Sequence, residues 1–126
     1  MYFFDNNFSR QIVNILKELG VSASHLTEHM EASTPDEIWI PKAASEGWTA
    51  VTTDLRIYKN AAQRSILIEQ KLKTAFFPNG YVNRPRWDQA IFVVKNWQAI
   101  QRGIEHEDHI LLRVNDNGKV ERLPLK

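Results

Sequence analysis

The chain has 126 residues, of which 43% are hydrophobic and 25% charged, with a formal net charge of +1 and no cysteine. Length and composition are those of an ordinary soluble globular protein with a single domain over 1–126, and they exclude a disulfide framework or a thiolate metal site. No apolar run approaches the roughly 18 residues of a membrane span and no signal peptide is visible, which fits the cytoplasm; so small a net charge leaves nucleic-acid binding to a local basic rim.

Residues 2–5 read as a short buried aromatic strand. A helix follows from about Phe8 to Leu19, with Phe8, Ile12, Val13, Leu16 and Leu19 as its apolar stripe and Gly20 as its stop. Val21 to Glu28 is a plausible second strand. Segment 34–47 reads as a helix, with Thr34, Pro35 and Glu37 forming a capping box. Pro41 conflicts with a regular helix there, so the pattern allows either an irregular turn at 35–39 and a helix from about 41, or one kinked helix. Gly47 ends it in both cases. Trp48 to Thr53 is the third strand, 55–60 a polar loop, and 61–72 a helix. Thr74 to Phe77 is a fourth strand, closed by Pro78-Asn79-Gly80. The longest helix is expected over 86–102, stopped by Gly103. His109 to Val114 and Lys119 to Leu123 flank Asn115-Asp116-Asn117-Gly118, a hairpin turn signal. Strands and helices thus alternate over the first three-quarters, and 84–126 adds a helix and a hairpin.

Within residues 1–60 three acids stand at informative places. Asp5 ends the first strand, Asp36 opens a helix, and Asp54 ends the third strand. In an open α/β sheet, strand carboxyl ends and the helix N-termini beside them share one crevice. Each acid has a bland explanation. Asp5 can make an Asx turn with Asn6 and Asn7, Asp36 can offset a helix dipole, and Asp54 can serve a turn. None of those explanations predicts convergence, whereas three carboxylates brought together call for a hard divalent cation such as Mg²⁺. Glu37 is explained by the capping box and is also a candidate catalytic carboxylate beside the same helix start.

The run Phe3-Phe4-Asp5-Asn6-Asn7-Phe8-Ser9, then Thr34-Pro35-Asp36-Glu37-Ile38-Trp39, Ala43-Ala44, Gly47-Trp48 and Val51-Thr52-Thr53-Asp54, resembles the compact PIN-like domains. It looks closest to the short group named after VapC-type toxins of toxin–antitoxin systems. The matching stretch is about residues 2–78. The resemblance implies a three-layer α/β/α sandwich with a mainly parallel sheet and a C-terminal hairpin. It also implies a Mg²⁺- or Mn²⁺-dependent endoribonuclease that leaves a 5′-phosphate and a 3′-hydroxyl, with Asp5, Asp36 and Asp54 as metal ligands. RNA and a cognate antitoxin are the implied partners, and a homodimer is allowed. Larger PIN nucleases carry a further acid between the first strand and the Asp-initiated helix. Here that region is only Gly20 to Ser33, and its acids, Glu28 and Glu31, do not clearly take that place.

Arg10, Arg56, Lys59 and Arg64 lie near the acidic strand ends, and Arg84 and Arg86 flank Pro85 after the fourth strand. All six are candidate RNA contacts, with ordinary surface charge as the alternative. The four histidines lack zinc spacing. Trp87 and Trp97, ten residues apart, are expected to share a packed helix face. Three functions are therefore weighed: metal-dependent RNA cleavage; a catalytically weakened RNA- or protein-binding regulatory module, favoured by the missing acid; and, distantly, a phosphoacceptor receiver. The last lacks a second acid after the first strand and a lysine after the fifth.

Overall fold

The computed structural model describes residues 1–125. Six strands form one sheet in the order β2-β1-β3-β4-β5-β6. They are β1 (Tyr2–Phe4), β2 (Ala23–His25), β3 (Thr49–Thr52), β4 (Thr74–Phe76), β5 (Leu111–Val114) and β6 (Val120–Arg122). The first five are parallel, and only β5 with β6 is antiparallel. The helices are α1 (Arg10–Glu18), α2 (Asp36–Ser45), α3 (Arg56–Lys59), α4 (Ala61–Glu69) and α5 (Arg86–His106), with 3₁₀ turns at Leu26–Glu28 and Tyr81–Asn83.

Strand residues alternate between two cores, as the pleat requires. Tyr2, Phe4, Val51, Ala75, Leu112 and Val114 face the layer made by α1 and α5, where Ile12, Leu16, Phe92, Trp97 and Ile100 are buried. Phe3, Ala50, Phe76 and Leu111 face the opposite layer, with Trp39 and Ile40 of α2, Ile57 of α3 and Leu67 of α4. Both faces are covered, so these strands read as apolar runs rather than as an amphipathic alternation. The result is the expected three-layer α/β/α sandwich with a C-terminal hairpin. Among the described residues, no helix is long and apolar enough to cross a membrane.

Several local expectations are corrected. Thr34 is not a cap: its hydroxyl donates to the Glu31 carbonyl at 2.6 Å. Pro35 occupies the cap position of α2 without a side-chain bond. Asp36 and Glu37 in the first turn offset the dipole instead. Pro41 sits inside a single helix, one of the two forms the sequence allowed. Residues 56–59 form a short helix rather than a loop. Leu19 is exposed, outside the stripe it was expected to extend. Trp87 is 77% exposed while Trp97 is buried. Ten residues advance a helix by about 80° short of a whole number of turns, so the two rings leave different faces.

Gly103 does not stop α5, which runs on to His106. Its role is clearance. A Cβ there would lie 2.7 Å from Val120 Cβ and Cγ2, so the missing side chain lets β6 press against the helix. Gly20 and Gly47 do end their helices, as read, and both have positive φ, as does Gly118 in the hairpin turn.

Candidate active site

In this strand order the chain crosses from one face of the sheet to the other between β1 and β3. Ligands of open α/β sheets bind at such a switch point, beyond the strand carboxyl ends. Asp5 leaves β1 there, Asp54 stands two residues beyond β3, and Asp36 is the first residue of α2, the connection between β2 and β3. The three acids therefore belong to three separate elements that end at one edge.

Asp5 is the central one. It is only 5% exposed. Its backbone N–H donates to the Val51 carbonyl at 3.1 Å, extending the pairing of β1 with β3 past the last strand residue. One carboxylate oxygen accepts from the Asn7 amide at 3.1 Å, the Asx turn foreseen for this position. The other accepts from the Thr52 hydroxyl. That hydroxyl accepts in turn from the Asp54 amide at 3.0 Å, a relay that ties the two strand ends across the switch point. Burial pushes the Asp5 carboxyl up to about 7; the bonds from Thr52 and Asn7 oppose this, and the negative charges of Asp54 and Asp36 add to it. No cation is among the groups acting on it.

Asp36 is held by two neutral donors. Trp39 Nε1 donates to its Oδ1 at 2.8 Å, and Gln63 Nε2, from α4, donates to its Oδ2 at 3.0 Å. Asp54 is held by a cation. Arg56 donates to Asp54 Oδ1 through Nε at 2.9 Å and to Oδ2 through a terminal nitrogen at 3.1 Å. Glu37 is exposed on the first turn of α2. Its capping box does not form, because Thr34 is turned elsewhere.

The six candidate basic residues separate into three groups. Arg56 is spent on Asp54. Arg64 donates to the Tyr58 carbonyl at 2.8 Å and lies over the Tyr58 ring. Arg84 pairs with Asp116 at 2.7 Å and covers the rings of Tyr81 and Phe92. Lys59 is exposed at the end of α3. Arg10 and Arg86 come together, because both line one cleft with Asn6, Ser9, Gln11, His25 and Thr27.

Hard oxygen donors are what Mg²⁺ and Mn²⁺ take, and a buried carboxyl crowded by two like charges is what such an ion would relieve. In chemistry, then, Asp5, Asp36 and Asp54 fit a divalent cation. They are not drawn together around one point, however: among the described residues, no group of three or more His, Asp or Glu side chains is close enough to hold an ion. Asp36 and Asp54 are turned toward Gln63, Trp39 and Arg56 instead.

Four side chains of the candidate site escaped sequence reasoning. Thr52 bridges Asp5 and Asp54, and its place in Thr52-Thr53-Asp54 was the available signal. Trp39, three residues after Asp36, was readable as a neighbour on the same helix face. Gln63 had no local signal, since its contact with Asp36 spans 27 positions. His25 is a buried residue of the cleft wall. Burial holds its imidazole below the usual histidine range. Nε2 donates to the Phe8 carbonyl at 2.8 Å while Nδ1 accepts from the Thr27 amide at 3.1 Å. His29 is spent on Ser24 Oγ at 2.9 Å and packs against Trp48.

The family model for the PIN like domain matches residues 1–79, which contain all three acids. No curated protein and no solved structure matches the chain.

Proposed function

The chain belongs to the PIN-like domain family, and from that premise we propose that it is a Mg²⁺- or Mn²⁺-dependent endoribonuclease acting at Asp5, Asp36 and Asp54. The family fold is of nuclease type, and PIN domains typically use divalent metals. The observation that carries the proposal is Asp5, a buried carboxyl at the switch point whose ionisation is opposed by two further acids. A divalent cation bound there would lower the pKa of a coordinated water and offset charge building on the scissile phosphate.

The chain's own residues then have distinct tasks. Asp5 would serve as a ligand in its deprotonated form, and Thr52 holds its second oxygen in place. Trp39 and Gln63 fix the plane of the Asp36 carboxylate. Arg56 neutralises Asp54 in the free protein. Glu37, exposed at the start of α2, is the carboxylate available to take a proton from the attacking water. In this reading the chain is the toxin of a toxin–antitoxin pair, supported by the likeness of its acidic runs to VapC-type toxins, with RNA as substrate and a cognate antitoxin as partner.

A second reading is a PIN-like regulatory module with weakened metal binding. It is favoured by the acids' failure to assemble into an ion-holding group. One set of measurements separates the two: Mn²⁺ titration by calorimetry, RNA cleavage, and melting temperature, on wild type and Asp54→Asn. The nuclease reading expects Mn²⁺ binding and cleavage by wild type, and at least about a 10²-fold loss of cleavage in the variant. Metal-free stability should change by no more than about 1 kcal/mol, because Arg56, the cation paired with Asp54, is 88% exposed. A wild-type protein that binds no Mn²⁺ and cleaves no RNA overturns the nuclease reading and leaves the module reading.

A further inference from the structure

We propose that the cleft between the start of α1 and the end of β2 seats one nucleotide of single-stranded RNA, its phosphate held between Arg10 and Arg86. The strand then crosses the acidic edge over α1 rather than over α3 and α4. This rests on the nuclease reading and adds to it the path of the substrate.

Four observations converge. The cleft has a volume of about 550 Å³, within the range of roughly 300–1,000 Å³ typical of small-molecule sites. It borders the proposed reaction centre, because Asn6 lines it and is the residue after Asp5. Two guanidinium groups reach it from elements distant in sequence. Arg86, at the start of α5, donates to Ser9 Oγ at 2.7 Å and to Gln11 Oε1 at 3.3 Å. Arg10, at the start of α1, makes no hydrogen bond or ion pair among the described residues and is close enough to His25 to disfavour its charged form. Finally, the arginines on the other side are committed, Arg56 to Asp54 and Arg64 to Tyr58, leaving the exposed Lys59 of α3 among the candidate cations there.

The amides at the start of α1 are not the binding element, since Ser9 already caps the helix by accepting from the Gln11 amide at 3.1 Å. Recognition comes from side chains. Two forked cations suit a phosphodiester, whose charge and paired oxygens match a guanidinium. Asn6, Gln11 and Thr27 supply donors and acceptors to a base or ribose edge. His25 does not read the ligand, because both ring nitrogens are already bonded to Phe8 and Thr27. It is a rigid neutral wall, which keeps the cleft's net charge at that of its two arginines.

The test is fluorescence anisotropy of a labelled single-stranded oligoribonucleotide of about eight residues, in Ca²⁺, across a salt series. Wild type is compared with Arg10→Ala, Arg86→Ala, Arg86→Lys, Lys59→Ala and, as a control on the exposed face of α5, Lys95→Ala. Arg10→Ala and Arg86→Ala should each weaken binding at least about 5-fold and flatten the log–log salt slope by about 0.7. Arg86→Lys should recover the slope but not the affinity, because it keeps the charge and loses the fork. Unchanged melting temperatures exclude unfolding as the cause. Wild-type binding with affinity and slope intact in both arginine variants, or with the loss confined to Lys59→Ala, overturns the cleft while leaving the nuclease reading in place. Wild type that binds no RNA at any salt overturns both.

Discussion

Asp5 carries a carboxyl group that its own fold disfavours as a carboxylate, and the sign of that effect makes a prediction. An aspartate in an unfolded chain ionises near its ordinary value of 3.8, whereas in the fold it does so at about 7. Between those values the folded state holds the extra proton. Stability from this group is therefore full at acid pH, falls as pH rises from about 4 to 7, and stays low above that, by on the order of 2–4 kcal/mol. Asp5→Asn should melt higher than wild type at pH 8 without metal and lose that advantage at pH 4. Adding Mn²⁺ should reverse the order at pH 8, since only the wild type gains a ligand that binds the folded state. Thermal melts at the two pH values, with and without Mn²⁺, check both statements; an advantage of equal size at both pH values would remove Asp5 from this role. The place of all three acids at strand and helix ends was legible in the sequence, because Asp after an apolar run or after Thr-Pro marks such ends. What holds their oxygens was not. Gln63 reaches Asp36 across 27 positions and Thr52 reaches Asp5 across 47, and no local pattern encodes such contacts.

At the scale of elements, the sequence pattern and the structure agree wherever apolar periodicity or a positive-φ glycine sets the boundary, as in α1 with Gly20 and the hairpin with Gly118. They part where a residue with a strong local preference serves a tertiary purpose instead. Thr34 had the look of a cap, but its hydroxyl closes the preceding turn. Gly103 had the look of a helix stop, but it is the gap into which Val120 fits. Gly103→Ala decides between these roles. A helix-stop glycine at positive φ would lose about 1 kcal/mol that no change at Val120 restores, and an interior helical one in open space would gain about 1 kcal/mol from the better helix former. Here the added methyl meets Val120 at 2.7 Å, so the net effect should be a loss of about 1–3 kcal/mol in urea unfolding. RNA cleavage per folded molecule should be unchanged, because the hairpin lies far along the sheet from β1 and β3. Gly103→Ala with Val120→Gly should recover most of the loss.

For the molecule as a whole, alternating strand and helix signals were enough to give a parallel sheet with helices on both sides, because crossover connections leave few alternatives. The order β2-β1-β3-β4-β5 was not readable, since it depends on which face each helix packs against. That order has a consequence for the stretch 1–79 that carries the family pattern. It stops after β4, which pairs on one side with β3 and on the other with β5. A fragment ending at 79 would present β4 as a bare edge and would strip Phe92, Trp97 and Ile100 from the core over β1. It should be insoluble or bind a hydrophobic dye, and a fragment that stays monomeric with native amide protection in β1 would refute this. The same geometry bears on how the protein is born. A ribosome releases β1 to β4 before α5 and β5 exist, so the nascent chain exposes a long-lived hydrophobic edge until its final third emerges. The buried residues of α5 and β5, remote from the three acids in sequence, thus govern whether the acidic edge is delivered folded or as a target for chaperones and proteases.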